Sequence, residues 1–108
     1  MYYIYILECE DKSLYTGITS DLKKRMRAHF YKLPSAAKYT KSHNVKEIKA
    51  LYKTNEKSNA LKLEAYIKTF KADKKRLICS SPSLVFNDKF KESDFEIVLG
   101  VTLESCLN

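Results

Sequence analysis

The segments Tyr2–Cys9 (YYIYILEC) and Leu14–Ile18 (LYTGI) decide the fold of this chain. The first segment is β-branched and aromatic and is apolar on both faces, which predicts a buried strand. The short polar stretch Glu10–Lys12 separates it from the second segment. Two strand-like segments joined in this way predict a β-hairpin. The chain therefore begins with an antiparallel pair of strands.

The length of the hairpin loop determines which side chains share a face. A three-residue loop, Glu10–Lys12, pairs Tyr5 with Gly17, and Tyr5 and Tyr15 then share a face. Gly17 has no side chain and leaves space beside Tyr5. A two-residue loop would separate the two tyrosines, because one step of register reverses every side chain. The three-residue loop requires a left-handed Lys12, at a cost on the order of 1 kcal/mol. Ordinary strand packing also accounts for either tyrosine alone.

The rest of the chain predicts three helices and one more strand. The order β-β-α-β-α-α indicates an α+β fold, with helices flanking a small three-stranded antiparallel sheet. We expect a domain over residues 1–79 and a C-terminal extension of unassigned role over residues 80–108, where 95–103 is compatible with a late strand. The predicted elements are a helix over 21–31 with an N-cap from the segment 19–21, a strand over 47–53, a helix capped by Ser58 and ending near Phe70, and a helix over 72–78.

Charge is distributed unevenly along the chain. The net charge is +7, but residues 1–78 hold eighteen Lys and Arg against eight Asp and Glu, and residues 79–108 hold two against five. A basic body suits a polyanionic partner such as nucleic acid. A Lys-rich solvated surface would explain the charge equally well. The acidic extension either competes with nucleic acid for the basic face or adds a strand or helix to the core.

The three cysteines are Cys9, Cys79 and Cys106, and they lack zinc-ligand spacing. We expect free thiols in a reducing compartment. The N-terminus has no apolar run with a cleavage site, and no stretch approaches 18 apolar residues. We therefore expect a soluble cytoplasmic protein without a membrane partner.

Polar residues occupy core-facing positions in the first helix. Leu22, Met26 and Phe30 form its apolar stripe, and the same face continues at Arg25 and His29. A charge at such a position is costly unless it is paired, bound to a metal or open to a cleft. A lone histidine there is more often a satisfied core residue than a catalyst.

The second helix repeats this arrangement. Ala60, Leu63 and Ile67 form its stripe, and Glu64 lies beside them. A salt bridge between Glu64 and Arg25 that ties the two helices together is one interpretation. A functional site that uses both groups is the other.

The same residues resemble the GIY-YIG nuclease family, and in particular its small stand-alone bacterial branch. The resemblance covers about residues 2–78. It departs from the family's pattern at Tyr3, where the family name has Gly, at Lys12, where a glycine is more usual, and in the loop before Ala37, which lacks the glycines common there. Its elements are Tyr3–Tyr5 and Tyr15–Gly17 for the paired GIY and YIG tripeptides, Arg25 ten residues after Tyr15, His29 four residues later, Ala37–Thr40 (AKYT), and the helix ALKLEAYIK around Glu64.

This resemblance implies a metal-dependent endonuclease that hydrolyses phosphodiester bonds in nucleic acid. Its implied roles are activation or positioning of the attacking water for Tyr5, phosphate binding for Tyr15, charge stabilisation for Arg25, help with proton transfer for His29, and binding of one divalent metal, usually Mg²⁺, for Glu64. Such a lone carboxylate suits Mg²⁺, and an arginine fork suits phosphate oxygens.

Nucleic acid, DNA rather than RNA, is the expected partner, and no protein partner is indicated. We expect recognition of substrate structure rather than base sequence, because a small domain has little surface for reading bases. The alternative is a non-catalytic binding module that keeps the fold and the basic face. The residues expected to contact nucleic acid are Lys24, Arg27, Lys38, Tyr39 and Lys41.

Overall fold

The computed structural model describes residues 1–108 and has an α+β architecture with one antiparallel sheet in the order β2-β1-β3-β4. Two short 3₁₀ helices, Pro82–Val85 and Glu92–Asp94, precede the last strand. The strands are β1 (Tyr2–Cys9), β2 (Leu14–Thr19), β3 (Val45–Thr54) and β4 (Glu96–Ile97), and the helices are α1 (Leu22–Tyr31), α2 (Lys38–Ser42), α3 (Lys57–Lys68), α4 (Ala72–Ser80) and α5 (Leu103–Leu107).

The predicted fold class is confirmed, with one addition. The sheet has four strands instead of three, because the two-residue β4 of the extension pairs with the end of β3. None of the five helices combines the length and the apolar composition needed to cross a membrane.

The hairpin has the register that the three-residue loop predicts. Tyr5 pairs with Gly17, and Leu7 pairs with Tyr15. Lys12 adopts the expected left-handed conformation, with φ of 70°. Arg76 of α4 donates a hydrogen bond to the carbonyl of Lys12, so the strained turn is held from outside the hairpin.

Helix α1 begins as predicted, but its buried face differs from the prediction. The Asp21 side chain accepts a hydrogen bond from the backbone N–H of Lys24 at 3.1 Å and caps the helix. Met26 and His29 are fully buried, whereas Phe30 is 42% exposed. Phe30 follows His29 by one residue, or about 100° of helix rotation, so a face centred on His29 turns Phe30 outward. Its assignment to the core was wrong.

Helix α3 buries Ala60, Leu63 and Ile67 completely, as predicted. Its start differs from the prediction, because Glu56 occupies the N-cap position without a side-chain hydrogen bond. Ser58 therefore lies inside the first turn and does not cap the helix.

Both faces of the sheet are buried. Alternate residues of β1 point to opposite faces, so Ile4 and Ile6 join the core under α3 and α4, and Tyr5 and Leu7 join the core under α1 and α5. The extension contributes Val85 and Phe90 to the first core and Leu103 and Cys106 to the second. This burial agrees with the expectation that the extension adds elements to the core. All three cysteines are free.

Candidate active site

Tyr5 of β1 and His29 of α1 meet in the core between sheet and helix. The Tyr5 hydroxyl lies 2.7 Å from Nε2 of His29, and both residues are fully buried. A buried polar group is stable only when its hydrogen bonds are satisfied, so each of these side chains depends on the other.

The direction of this hydrogen bond follows from the next partner. His29 Nδ1 lies 2.7 Å from Oγ1 of Thr40, and that hydroxyl donates to the carbonyl of Ala37 at 3.1 Å. A threonine hydroxyl has one proton, so Thr40 must accept from the Nδ1–H of His29. Nε2 of the neutral ring is then an acceptor, and Tyr5 donates to it. The result is a directed chain from Tyr5 through His29 and Thr40 to a backbone carbonyl.

Both members of the central pair are uncharged at neutral pH. Burial, helped by the charge of Arg25, lowers the pKa of His29 to about 4. Burial raises the pKa of Tyr5 well above its usual value, against the opposing effect of the Arg25 guanidinium. The proton therefore stays on Tyr5 in the free protein, and the lone pair of His29 Nε2 accepts a hydrogen bond from it.

Gly17 makes room for the Tyr5 hydroxyl. A Cβ atom at position 17 would lie 2.4 Å from that oxygen, closer than any real contact of this kind. Position 17 therefore requires glycine because glycine has no side chain. Backbone conformation is not the reason, since the φ of Gly17 is not left-handed.

Tyr15 lies beside the same pair and begins a column of rings. Its ring centroid is 6.4 Å from that of Tyr5 and 5.5 Å from that of His29. On its other side Tyr15 stacks on Tyr39 of α2 at 5.7 Å, and Tyr39 stacks on His43 at 3.9 Å. The column connects the second strand of the hairpin to α2, and it ties the orientation of Tyr15 to that helix.

Arg25 links the buried pair to solvent. Its Nη1 donates to the carbonyl of Ser35 at 2.6 Å, and its charge acts on the pKa values of both Tyr5 and His29. Arg25 also lines an open groove of about 410 Å³ with Ser35, Asp21 and Lys24. A ligand in this groove would lie against Arg25.

Glu64 reaches the site from the other side of the sheet. Helix α3 packs on the Ile4 face but also runs along the edge strand β2. The Glu64 charge raises the pKa of Tyr5, so the carboxylate lies within electrostatic range of the phenol. Its ion pair is with Lys68, at 3.3 Å, whereas Arg25 bonds to Ser35. The alternative of a Glu64–Arg25 salt bridge is therefore wrong.

The carboxylate of Glu64 is the one candidate metal ligand at this position. The chain has no cluster of three or more His, Cys, Asp or Glu residues that could enclose a metal ion. Mg²⁺ does not require such a cluster, because it keeps several waters and commonly binds through one or two carboxylates together with substrate phosphate. A carboxylate that is 15% exposed and acts electrostatically on the Tyr5 phenol fits that donor set.

Comparison with known proteins gives the family. The family model described as the GIY-YIG catalytic domain matches residues 1–76. The chain belongs to the GIY-YIG family. The GIY-YIG domain family is a nuclease family, and a domain of this kind implies a nucleic-acid substrate. The match contains Tyr5, Tyr15, Arg25, His29 and Glu64.

Several small proteins are similar to this GIY-YIG chain. A UPF0213 protein of Fusobacterium nucleatum is 41% identical over 87 residues, which cover 81% of this chain and 85% of the relative. A UPF0213 protein of Syntrophus aciditrophicus is 43% identical over 81 residues, covering 74% and 92%. The solution NMR structure of a UPF0213 protein from Bacillus halodurans is 33% identical, covers 74% of this chain and 84% of that chain, and has a TM-score of 0.46.

The expected nucleic-acid contacts of this GIY-YIG chain fall in two places. Lys24 on α1 and Lys38 and Lys41 on α2 are exposed. Tyr39 is half-buried within the column of rings. Arg27 is exposed, but its Nη1 donates to the carbonyl of Leu107 at 2.7 Å and ties α1 to α5. The assignment of these residues to nucleic-acid binding stays a prediction.

Two residues at the site carried no assigned role in the sequence analysis. Thr40 orients His29, and His43 covers the outer face of Tyr39. Thr40 is part of the quoted AKYT segment, so a signal for its position was present. The sequence has no helical or strand periodicity that would identify His43 as a site residue. The position of its side chain depends on how α2 packs against the hairpin.

Proposed function

We propose that this GIY-YIG chain is a metal-dependent endonuclease that hydrolyses phosphodiester bonds in nucleic acid, most suitably DNA. We propose further that substrate structure guides it rather than base sequence. The observation that carries the proposal is the directed hydrogen-bond chain from Tyr5 through His29 to Thr40. For a buried tyrosine with only a structural role, any hydrogen-bond acceptor is sufficient, including one that cannot take up a proton. Here the acceptor is a neutral imidazole that can take up a proton, which is what general-base chemistry requires.

Tyr5 and His29 would activate the attacking water together. The water gives a proton to the Tyr5 oxygen while the Tyr5 proton passes to Nε2 of His29. The resulting hydroxide forms a bond to phosphorus, and the bond from phosphorus to the leaving oxygen breaks. Tyr5 thus remains a neutral phenol at the end of the step, and the positive charge lies on His29.

Bound phosphate would make His29 a better acceptor. In the free protein its pKa of about 4 is low mainly because of burial and in part because of the nearby Arg25 charge. A phosphate anion paired with Arg25 offsets that charge, so the pKa of His29 rises towards its ordinary value of 6.5. Proton transfer to His29 is therefore less unfavourable when substrate is present than in the free protein.

Arg25 and Tyr15 would hold the phosphate. The guanidinium offers a planar fork for two phosphate oxygens and always carries its charge. Tyr15 has its ring fixed between His29 and Tyr39, so its hydroxyl is a pre-oriented donor. Interactions that strengthen as charge develops on phosphate lower the barrier to reaction.

Glu64 would hold the divalent cation, with Mg²⁺ as the expected metal. When bound, this metal supplies positive charge that polarises the phosphate and stabilises the leaving oxygen. Release of Lys68 from Glu64 frees the carboxylate for this role, and the freed ammonium adds to the positive potential around the phosphate.

Contacts with the phosphate backbone support guidance by structure. The expected contacts are mainly lysines and arginines, which position a nucleic acid without identifying its bases. The free cysteines suit a reducing cytoplasm, which we infer as its compartment.

A cleavage panel tests the proposal. Branched, nicked, single-stranded and RNA substrates are incubated with Mg²⁺ and, in parallel, with EDTA. We expect cleavage of at least one structured DNA with Mg²⁺ and none with EDTA. Binding in EDTA without cleavage under any divalent metal would contradict the proposal and favour a non-catalytic binding module.

A further inference from the structure

Phe30, Tyr31 and Leu33 form an exposed apolar surface at the end of α1, here named the aromatic shelf. These side chains are 42%, 50% and 42% exposed. The rings of Phe30 and Tyr31 are in edge contact, with centroids 5.1 Å apart. Clustered exposed apolar groups of this kind commonly mark a binding surface.

The backbone under the aromatic shelf is fixed. Lys32 ends α1 in a left-handed conformation, with φ of 55°, and the N–H of Leu33 donates to the carbonyl of Ala28 at 3.0 Å. The Lys32 ammonium donates to three carbonyls at the end of α2, at distances of 3.0 to 3.3 Å. The exposure of the shelf is therefore a property of the folded chain and does not come from a frayed helix end.

Cations surround the aromatic shelf. The Arg27 guanidinium lies over the Tyr31 ring at 5.4 Å from its centroid. Leu33 lines a groove of about 360 Å³ together with Lys23, Lys24, Arg27 and Asp21. Asp21 is the sole acid of that groove, and its carboxylate already caps α1. The groove thus offers positive charge next to apolar rings.

This groove leads to the candidate active site. The neighbouring groove of about 410 Å³ is also lined by Asp21 and Lys24, and it contains Arg25. A strand can follow a continuous surface from the aromatic shelf, past Lys24, to the guanidinium that would bind the scissile phosphate.

We propose that the aromatic shelf stacks unpaired bases of a nucleic-acid strand whose phosphates follow the two grooves to Arg25. Rings beside a track of cations are the arrangement that binds single strands, because every base has a face to stack and every phosphate has a charge. The bases of a duplex are already stacked on each other and cannot use the shelf. Resting on the proposed nuclease function, this inference specifies its substrate as a nucleic acid with a single-stranded arm.

Binding measurements without cleavage test this inference. A fluorescent DNA fork with an oligothymidine arm and a blunt duplex with equal phosphate count are titrated in EDTA. We expect the double substitution Phe30→Ala, Tyr31→Ala to weaken fork binding about tenfold, as loss of base stacking predicts. Duplex binding and the salt dependence of fork binding stay as in the wild type, because no charge is removed.

Two controls accompany the double variant. Leu77→Ala removes a side chain that is 54% exposed on α4, away from the shelf, and should leave fork binding unchanged. The exchange Phe30→Tyr, Tyr31→Phe keeps both rings and should bind the fork like the wild type. Melting temperatures confirm that each variant is folded.

The outcomes separate this inference from the function on which it rests. Equal losses on fork and duplex, or no loss on the fork, would overturn the inference alone. A wild type that binds neither DNA would overturn the inference and the proposed function together. Self-association that disappears in the double variant, with fork binding retained, would show that the shelf contacts a second copy of the chain instead.

Discussion

Tyr5 and Tyr52 are two buried tyrosines on opposite faces of the same sheet. Both are fully buried, and burial raises the pKa of both well above the usual value. Each donates one hydrogen bond of 2.7 Å, Tyr5 to His29 and Tyr52 to the carbonyl of Pro82. By burial, pKa and hydrogen-bond length the two residues are equivalent.

Their partners separate them. The Pro82 carbonyl can only accept, so Tyr52 ends its hydrogen-bond chain and stabilises the fold. His29 can accept a proton and is itself held by Thr40, and the charges of Arg25 and Glu64 act on Tyr5. A perturbed pKa therefore does not identify the site in this chain, whereas the identity of the acceptor does.

The first way to break this comparison is to remove Glu64, the proposed metal ligand, whose charge acts on Tyr5. Glu64→Gln should lower Mg²⁺-dependent cleavage by roughly three orders of magnitude, because several kcal/mol of charge stabilisation on the phosphate is lost. The lost Glu64–Lys68 pair contributes at most about 1 kcal/mol to folding. A plasmid-nicking assay and a melting curve measure the two effects. Wild-type cleavage by the variant would remove Glu64 from the site.

A smaller effect is expected from Arg25→Lys, which keeps the charge and removes the fork. Cleavage should fall at least about tenfold, because lysine cannot make the paired bonds to two phosphate oxygens. Single-turnover rates measure this loss, with Lys24→Arg as the matched exchange at the adjacent exposed position. Near-normal rates for Arg25→Lys would mean that Arg25 supplies only general positive charge.

The third test concerns stability and sharpens the difference between the two faces. The pKa of His29 is about 4 in the folded chain and about 6.5 when unfolded, so the unfolded chain takes up the proton first as pH falls. The stabilisation that neutral, buried His29 gives to the fold is complete above pH 6.5 and is lost as pH falls to about 4. The free energy of unfolding then changes by about 3 kcal/mol.

Urea unfolding at neutral pH and at pH about 4 measures this change, with His29→Gln as the comparison. The wild type should lose about 3 kcal/mol more than the variant on acidification. On the other face of the sheet, Tyr52 donates to a backbone carbonyl, which does not titrate. This pair should therefore contribute nothing to the pH dependence of stability. Equal losses in both proteins would show that His29 is protonated or solvated in the folded chain.

Local sequence chemistry accounted for most of the sheet and the helices. The register followed from loop length, since a three-residue turn aligns Tyr5 with Gly17. The buried face of α3 was predicted correctly because three apolar residues at helical spacing define only one apolar face. The fold class followed from the order of these elements.

The errors occurred where a distant contact outweighs the local pattern. Phe30 continues an apolar stripe, but the hydrogen bonds of His29 to Tyr5 and Thr40 set the rotation of α1 and leave Phe30 outside. The place of His43 depends on α2, which the Lys32 ammonium holds through three carbonyls. Such contacts join residues that no short period relates.

One experiment tests the central claim most directly: single-turnover cleavage of a branched DNA with Mg²⁺ by the wild type, Tyr5→Phe and Tyr52→Phe. Each substitution removes one buried hydroxyl and one hydrogen bond, so both variants should lose about 1 kcal/mol of stability. Tyr5→Phe should cleave about a hundredfold more slowly, and Tyr52→Phe at the wild-type rate. Equal rates for the two variants would contradict the assignment of Tyr5 and His29 to the chemistry.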